Sequence, residues 1–456
     1  MNATTMKKKY ESPVIQKMNG GLMNKFGTRT EYEPVKQIDG VSVQSLMAEY
    51  GSPLFVLSER TLRRNYQDAF RAFSTRYPNV QFAWSYKTNY LNAVCRVFHQ
   101  EGSWAEVVSG FEYQKALGNG VPGNKIIFNG PEKTNEELKL AAENGSLIHI
   151  DHFDELYQLL EISDQLTKKP RVAIRVNMDT GVYPVWDRFG FNYENGQAME
   201  ALRKIVQSGK MELTGLHCHI GTYMLSVNAY RVAVKKLGDL AWKCKTELNN
   251  PLQYIDLGGG FPSTNTLRGA FLPGTDTVPS VDEFAEAISN QLNELGYGSG
   301  EAPLLILESG RVMVDDAGYL LSTVIANKRL SDGRRATILD AGVNVLFTSF
   351  WYDHQISPAQ DFTHHTEDQV MYGPLCMNID VMRQSANLPL LNRGDKVVVH
   401  KVGAYNMTQW MQFIHMRPNV VMIDEQGKTH LVRAAENLAY IEKQERVPEH
   451  LSTINL

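Results

Sequence analysis

The feature that most constrains this chain is a repeated alternation. Short runs rich in apolar and β-branched residues recur between Phe82 and Gly310, each followed by a stretch with helical spacing. Eight runs stand out: Phe82–Lys87, Trp104–Ser109, Ile126–Gly130, Leu147–Asp151, Val172–Asn177, Leu213–Ile220, Tyr254–Gly260 and Leu304–Gly310. A strand that is followed by a helix returns parallel to its predecessor, so the alternation predicts a parallel sheet with crossover helices. Between the runs, Leu138, Ala141 and Ala142 sit at i, i+3 and i+4 within Thr134–Asn144, and Asn228–Leu248 carries a long apolar stripe. Gly102 and Gly145 close helical segments, as a left-handed cap prefers. Eight strand–helix units in roughly 230 residues match a (β/α)8 barrel. A doubly wound open sheet has the same periodicity and stays the rival.

Beyond about Gly310 the pattern changes to β segments joined by turns: Ala336–Ala341, Lys396–Val402, Val420–Ile423 and Thr429–Val432, the last two around Glu425-Gln426-Gly427-Lys428. This predicts a C-terminal antiparallel β domain. Residues 1–50, with no strong helix before Val43–Tyr50, are expected to pack on it, with the barrel over 51–310 and the β domain over 311–456. The 456 residues carry 46 Lys+Arg against 50 Asp+Glu, and no basic half or tail marks a nucleic-acid partner. No apolar run approaches the ~18 residues needed to span a bilayer. Lys7, Lys8 and Lys9 are not followed by an apolar stretch, so no secretory signal is expected and the cytoplasm is the default compartment. The four cysteines (Cys95, Cys218, Cys244, Cys376) form no Cys-x-x-Cys pair, which argues against a disulfide framework or a zinc ribbon.

A barrel places its chemistry at the carboxyl ends of its strands, and here those ends are polar: Lys87, Ser109, Asn129, Asp151, Arg175, His217, His219, Gly258-Gly259-Gly260, Glu308 and Arg311. Lys87 ends the first strand. A desolvated ammonium there has a lowered pKa and suits Schiff-base chemistry, whereas a lone lysine more often snorkels to water. The three glycines free several backbone N–H groups for a phosphate, although glycine runs also make plain turns. His217 and His219 share one strand face, with Cys218 on the other. Such a pair opens the zinc site of a metal-dependent barrel hydrolase, but the later strands offer only Asp256 and Glu308 as further ligands. A stacking role for His219 and a core role for His217 therefore rank higher. Glu308 can hold a heterocyclic nitrogen protonated or form a local ion pair with Arg311.

Taken in order, these segments resemble the alanine-racemase-like, fold-type III pyridoxal-phosphate enzymes, in their diaminopimelate/ornithine decarboxylase branch. The resemblance spans nearly the whole chain. It is carried by Ser85-Tyr86-Lys87-Thr88-Asn89, Glu106-Val107-Val108-Ser109-Gly110-Phe111-Glu112, Asn129-Gly130-Pro131-Glu132-Lys133-Thr134 and His217-Cys218-His219-Ile220-Gly221-Thr222. Asp256-Leu257-Gly258-Gly259-Gly260-Phe261-Pro262, Glu308-Ser309-Gly310-Arg311, Gly373-Pro374-Leu375-Cys376 and Gly403-Ala404-Tyr405 complete the series. The resemblance implies that Lys87 carries pyridoxal 5'-phosphate as a Schiff base, that His219 stacks on its ring and that Glu308 faces the pyridine nitrogen. It further implies that Gly258, Gly259, Gly260, Thr222, Arg311 and Tyr405 hold the phosphate. A racemase of this fold is expected to present an arginine in place of Glu308, so the glutamate favours decarboxylation of an amino acid. Cys376 is implied to reach the site of a partner subunit as proton donor, which makes a homodimer with shared active sites.

Two positions depart from the branch. Met377 stands where decarboxylases of diamino acids place an acid after the cysteine, and the segment Asn344-Val345-Leu346-Phe347-Thr348-Ser349 lacks the arginine that meets a distal carboxylate. An unpartnered charge in a buried pocket costs several kcal/mol. Together with Phe347, Phe350, Trp351 and Tyr352, these changes predict a less charged or bulkier amino-acid substrate of a specialised pathway, free or tethered to a carrier. Met377, Phe347 and Tyr352 are the substrate-pocket candidates. Diaminopimelate decarboxylation for lysine synthesis, racemisation and metal-dependent hydrolysis are the alternatives.

Overall fold

The computed structural model describes residues 33–298, 300–363 and 366–452. Most of the expected N-terminal segment, with Lys7, Lys8 and Lys9, lies outside them. Eight parallel strands close into a barrel: Val80–Ser85, Trp104–Val107, Ile126–Phe128, Leu147–Ile150, Arg171–Asn177, Glu212–His217, Tyr254–Asp256 and Leu304–Ser309. Closure is direct, because Leu304–Ser309 pairs in parallel with Val80–Ser85. That excludes the doubly wound sheet. Inside the barrel, Ala83, Ile127, Leu147, Ala173, Tyr254 and Ile306 form a core of their own. Side chains alternate along a strand, so the inward positions nearer the carboxyl ends are Ser85, Glu106, Asn129, His149, Arg175, His217, Asp256 and Glu308. An apolar floor therefore carries an ionisable upper layer.

The crossover helices begin with capping boxes where the sequence supplies them. Thr134 and Glu137 exchange side-chain and backbone bonds before Asn135–Glu143, as Ser280 and Glu283 do before Val281–Asn293. Behind the sheet, Lys133 is buried and donates to the Gly130 and His149 carbonyls and to Glu155 Oε1, at 2.7, 3.0 and 2.7 Å. Among the described residues no helix is long and apolar enough to cross a membrane.

The second sheet domain departs from expectation in two respects. It is mixed rather than antiparallel. Gly318–Arg329 pairs antiparallel with Leu54–Ser58, Arg335–Leu339 and Lys396–His400. However, Arg335–Leu339 runs parallel to Thr366–Tyr372, and Leu54–Ser58 runs parallel to Asn419–Ile423. Long connections permit parallel pairing; the connection between Leu54–Ser58 and Asn419–Ile423 contains the entire barrel. The second departure is that Leu54–Ser58 belongs to this sheet, although it falls inside the expected barrel span of 51–310. All five of its residues are buried, and an unbroken apolar run does not reveal which sheet it joins. Ile38, Val43, Leu46 and Met47 pack against Leu54, Val56, Leu321, Val398 and Val421, which seats the described part of the N-terminal segment on this domain.

Candidate active site

Two cavities meet at the carboxyl end of the barrel and share Lys87, Trp186 and His219. The smaller, about 220 Å³, is also lined by Glu106, Asn129, Arg175, His217 and Glu308. The larger, about 490 Å³, is walled by Thr222, Tyr223, Leu267, Arg311, Trp351, Tyr352 and Tyr405. Residues from six barrel strands and from the sheet domain thus converge on one space.

Lys87 follows the first strand in a short 3-10 turn, Tyr86–Thr88. Its Nζ lies 2.7 and 2.5 Å from the two carboxylate oxygens of Glu106. Glu106 is fully buried, while the Lys87 side chain keeps 35% of its surface open to the cavity. Burial alone pulls the ammonium down, but Glu106 and Glu308 outweigh it and hold Lys87 above the ordinary lysine value. The expected lowering is therefore reversed, because the desolvated amine has a carboxylate against it. Asn129 Nδ2 donates to Glu106 Oε1 at 3.0 Å and to Glu308 Oε1 at 2.6 Å, joining the two carboxylates. The sequence gives Glu106 no role, and it places Asn129 at a strand end without one. Their signal is position, Glu106 on the strand beside that of Lys87 and Asn129 at the end of the next one round, which emerges only once the barrel register is known.

The glycine run works differently from the reading given above. Gly258 donates its amide to Asp256 Oδ1 at 2.8 Å, and Gly259 donates to His219 Nδ1 at 3.0 Å. Those two N–H groups are occupied within the protein rather than left for a phosphate. The run fixes His219, and a Cβ on Gly259 would stand 2.3 Å from the Glu308 carbonyl. Burial, with Arg175 and Lys87 nearby, lowers His219 to about 3, so its imidazole is neutral with the proton on Nε2. Trp186 lies against the His219 ring with centroids 5.6 Å apart. It sits in the irregular stretch after Arg171–Asn177, where no periodicity marks it.

Arg311 is buried beneath four rings, those of Tyr405, Tyr352, Tyr223 and Trp351, with centroids 4.8 to 5.6 Å from Cζ. The Tyr352 hydroxyl accepts from its guanidinium. Tyr405 adopts φ +63° while its N–H donates to the Thr88 carbonyl at 2.8 Å, tying the sheet domain to the lysine turn. Thr222 is exposed on the cavity wall. Of the substrate candidates, Tyr352 lines the cavity. Phe347 does not: it packs edge-on against Phe350 and Trp351. Cys376 is exposed and Met377 half-buried, and neither lines either of these two cavities. Asp380 holds their turn, accepting from Leu375 and Val343 at 2.7 and 2.8 Å.

The metal alternative gains one histidine that the sequence did not reveal. His149, His217 and Glu308 bring ligand atoms within 4.8 Å of one another. His149 Nε2 is already engaged by the Tyr254 hydroxyl at 2.9 Å, and the Arg175 charge stands beside the group. His219, the second member of the sequence pair, is bound to Gly259 instead.

The profile of the pyridoxal-binding domain of pyridoxal-dependent decarboxylases matches residues 63–315. This chain belongs to that family. Diaminopimelate decarboxylase of Methanothermobacter thermautotrophicus is 30% identical over 91% of the chain and 96% of its own length. The enzyme of the same name from Aquifex aeolicus is 28% identical over 92% and 98%. The crystal structure of diaminopimelate decarboxylase from M. jannaschii superposes with a TM-score of 0.84 at 28% identity, covering 93% of this chain and 99% of that one. The decarboxylase is a carboxy-lyase of amino acids, and its cofactor is pyridoxal 5'-phosphate. The residues fit that group. An amine and a buried carboxylate share one cavity, a guanidinium and four hydroxyl-bearing residues line the adjoining one, and Asn129 Oδ1 is buried without a partner. A substrate different from diaminopimelate, expected from Met377 and the missing arginine, gains no support from these relatives.

Proposed function

We propose that this decarboxylase removes one α-carboxylate of diaminopimelate, with Lys87 as the residue that binds the cofactor. The names of relatives covering nine-tenths of the chain support the substrate. The observation that carries the chemistry is the buried run Lys87–Glu106–Asn129–Glu308, which places an amine and a fixed carboxylate on one cavity. When bound, pyridoxal phosphate supplies an electron-accepting ring for the electron pair left as CO2 departs. Glu308 would stand at the ring nitrogen and hold its proton. Glu106 receives the Lys87 ammonium whenever that amine is free. Neutral His219, held by Gly259 and backed by Trp186, would lie against one face of the ring. Arg311, Thr222, Tyr405 and the Gly260 amide hold the phosphate, and the rings around Arg311 keep water from it.

Cys376 serves the cavity of a second copy, where it returns a proton to the α-carbon; its exposure outside both cavities of its own chain supports this. Mixing two inactive variants, Lys87→Ala and Cys376→Ala, then restores turnover, and failure of the mixture removes the shared site.

A second reading rests on Met377 and on residues 343–349, which put neither an acid nor an arginine where distal charges would need them. On that reading the substrate lacks the far ammonium and carboxylate. CO2 release from meso-diaminopimelate, set against a panel of mono-amino acids, decides between the two. Turnover of diaminopimelate well above the panel upholds the first, and preference for an uncharged side chain overturns it.

A further inference from the structure

Behind Glu308 lie three buried residues that the chemistry above leaves unused. His217 Nε2 is 3.5 Å from Glu308 Oε2, on the opposite side of the carboxylate from the Asn129 amide. The His149 ring stacks on His217 with centroids 4.7 Å apart and planes 29° from parallel. The Tyr254 hydroxyl in turn holds His149 Nε2 at 2.9 Å. Gly215 leaves room for this arrangement, since a Cβ there would stand 2.4 Å from the Tyr254 ring. Both ring nitrogens of His217 are without a hydrogen-bond partner, in a side chain that is 1% exposed. A buried N–H without an acceptor costs about 1–3 kcal/mol. Glu308 Oε2, 3.5 Å from Nε2, is the acceptor it faces.

We propose that His217, held by His149 and Tyr254, is a positioning residue for Glu308 that fixes which way the carboxylate faces. The proposal rests on the reading that Glu308 faces the pyridine nitrogen. Burial, with Arg175 close by, keeps His217 well below its ordinary value and therefore neutral. Neutrality matters here. An imidazole N–H directs one carboxylate oxygen without adding a cation that would compete for the charge Glu308 offers the ring. With Asn129 on Oε1 and His217 on Oε2, the carboxylate plane is set from both ends. The buried Asp256 carboxyl, which burial and Glu308 itself push well above the usual carboxylate range, bonds to the same carboxylate, so loss of His217 leaves Glu308 to that competing partner. Glu308 then turns away or takes up a proton.

The test uses His217→Phe, which keeps the ring and loses the N–H, and His217→Gln, which restores a donor near the Nε2 position. The first readout is the visible absorbance of cofactor-loaded protein, titrated with pH without substrate. His217→Phe is expected to move that titration to lower pH and to reduce kcat about tenfold with KM little changed, equal to a loss of about 1.4 kcal/mol. His217→Gln is expected to recover both. If His217→Phe titrates like the wild type while Glu308→Gln does not, the positioning role is overturned and the reading of Glu308 stands. If Glu308→Gln also titrates like the wild type, both fall.

Discussion

Two buried lysine–glutamate pairs sit a few residues from the same barrel mouth and differ in one respect. Lys133 gives its protons to two carbonyls and to Glu155, in a space closed to water. Lys87 has Glu106 as its hydrogen-bond partner and a third of its side chain facing a cavity. The chemistry of the pair is the same in both places. The difference is whether donor capacity is left over. A satisfied buried ion pair joins strand ends and a helix, whereas an open one keeps an amine ready to leave its carboxylate for another electrophile.

The comparison can be broken most sharply at the open pair. Lys87→Ala is expected to lower kcat by about 10⁴-fold, the upper range for loss of a reacting group, while the thermal midpoint moves little. A large loss of stability would mean that this pair, too, is architectural. Lys133→Met leaves Glu155 buried without its cation and held only by the Asp151 amide, so unfolding free energy measured in urea falls by about 3–5 kcal/mol while turnover per folded molecule holds. A buried neutral group in the sheet domain offers a third contrast. His354 donates and accepts inside the protein, to Thr348 and the His400 carbonyl, and burial lowers it to about 4. The unfolded imidazole protonates near pH 6.5, so stability is intact above that pH and declines as pH falls toward 4, by up to about 3 kcal/mol. His354→Gln flattens that slope in denaturation series run across the range.

The smallest effect sharpens the open pair itself. In Glu106→Gln the nearer of the two carboxylates that raise Lys87 is gone and only Glu308 is left against burial, so the amine loses its proton at lower pH. Uptake of pyridoxal phosphate by apo-protein, followed by visible absorbance, then rises about one pH unit earlier than in the wild type. An unshifted profile would show that Glu106 does not set the ionisation of Lys87.

The barrel was legible because each of its strands is a short apolar run with polar residues at its end, which put Lys87, Asn129, His219, Glu308 and Arg311 on one rim, while their roles came from the ordered family resemblance. Tertiary register was not legible. Glu106 matters because its strand neighbours that of Lys87, Asn129 because it ends the next strand round and reaches both Glu106 and Glu308, and His149 because its ring meets His217 across the barrel. Neither relation exists at the level of spacing. Trp186 lies in an aperiodic loop, and Phe347 was counted into the pocket although ring packing draws it away. The glycines were read as free donors because a sequence does not say that Gly258 and Gly259 already face Asp256 and His219.

The placement of Leu54–Ser58 has a consequence for how the polypeptide is made. This strand leaves the ribosome before any barrel strand, yet its neighbours on either side, Gly318–Arg329 and Asn419–Ile423, are translated after the barrel is complete. During that interval a fully apolar edge waits without a mate, the kind of surface that nascent-chain chaperones cover. Truncation near the C-terminus would therefore orphan the beginning of the protein as much as its end.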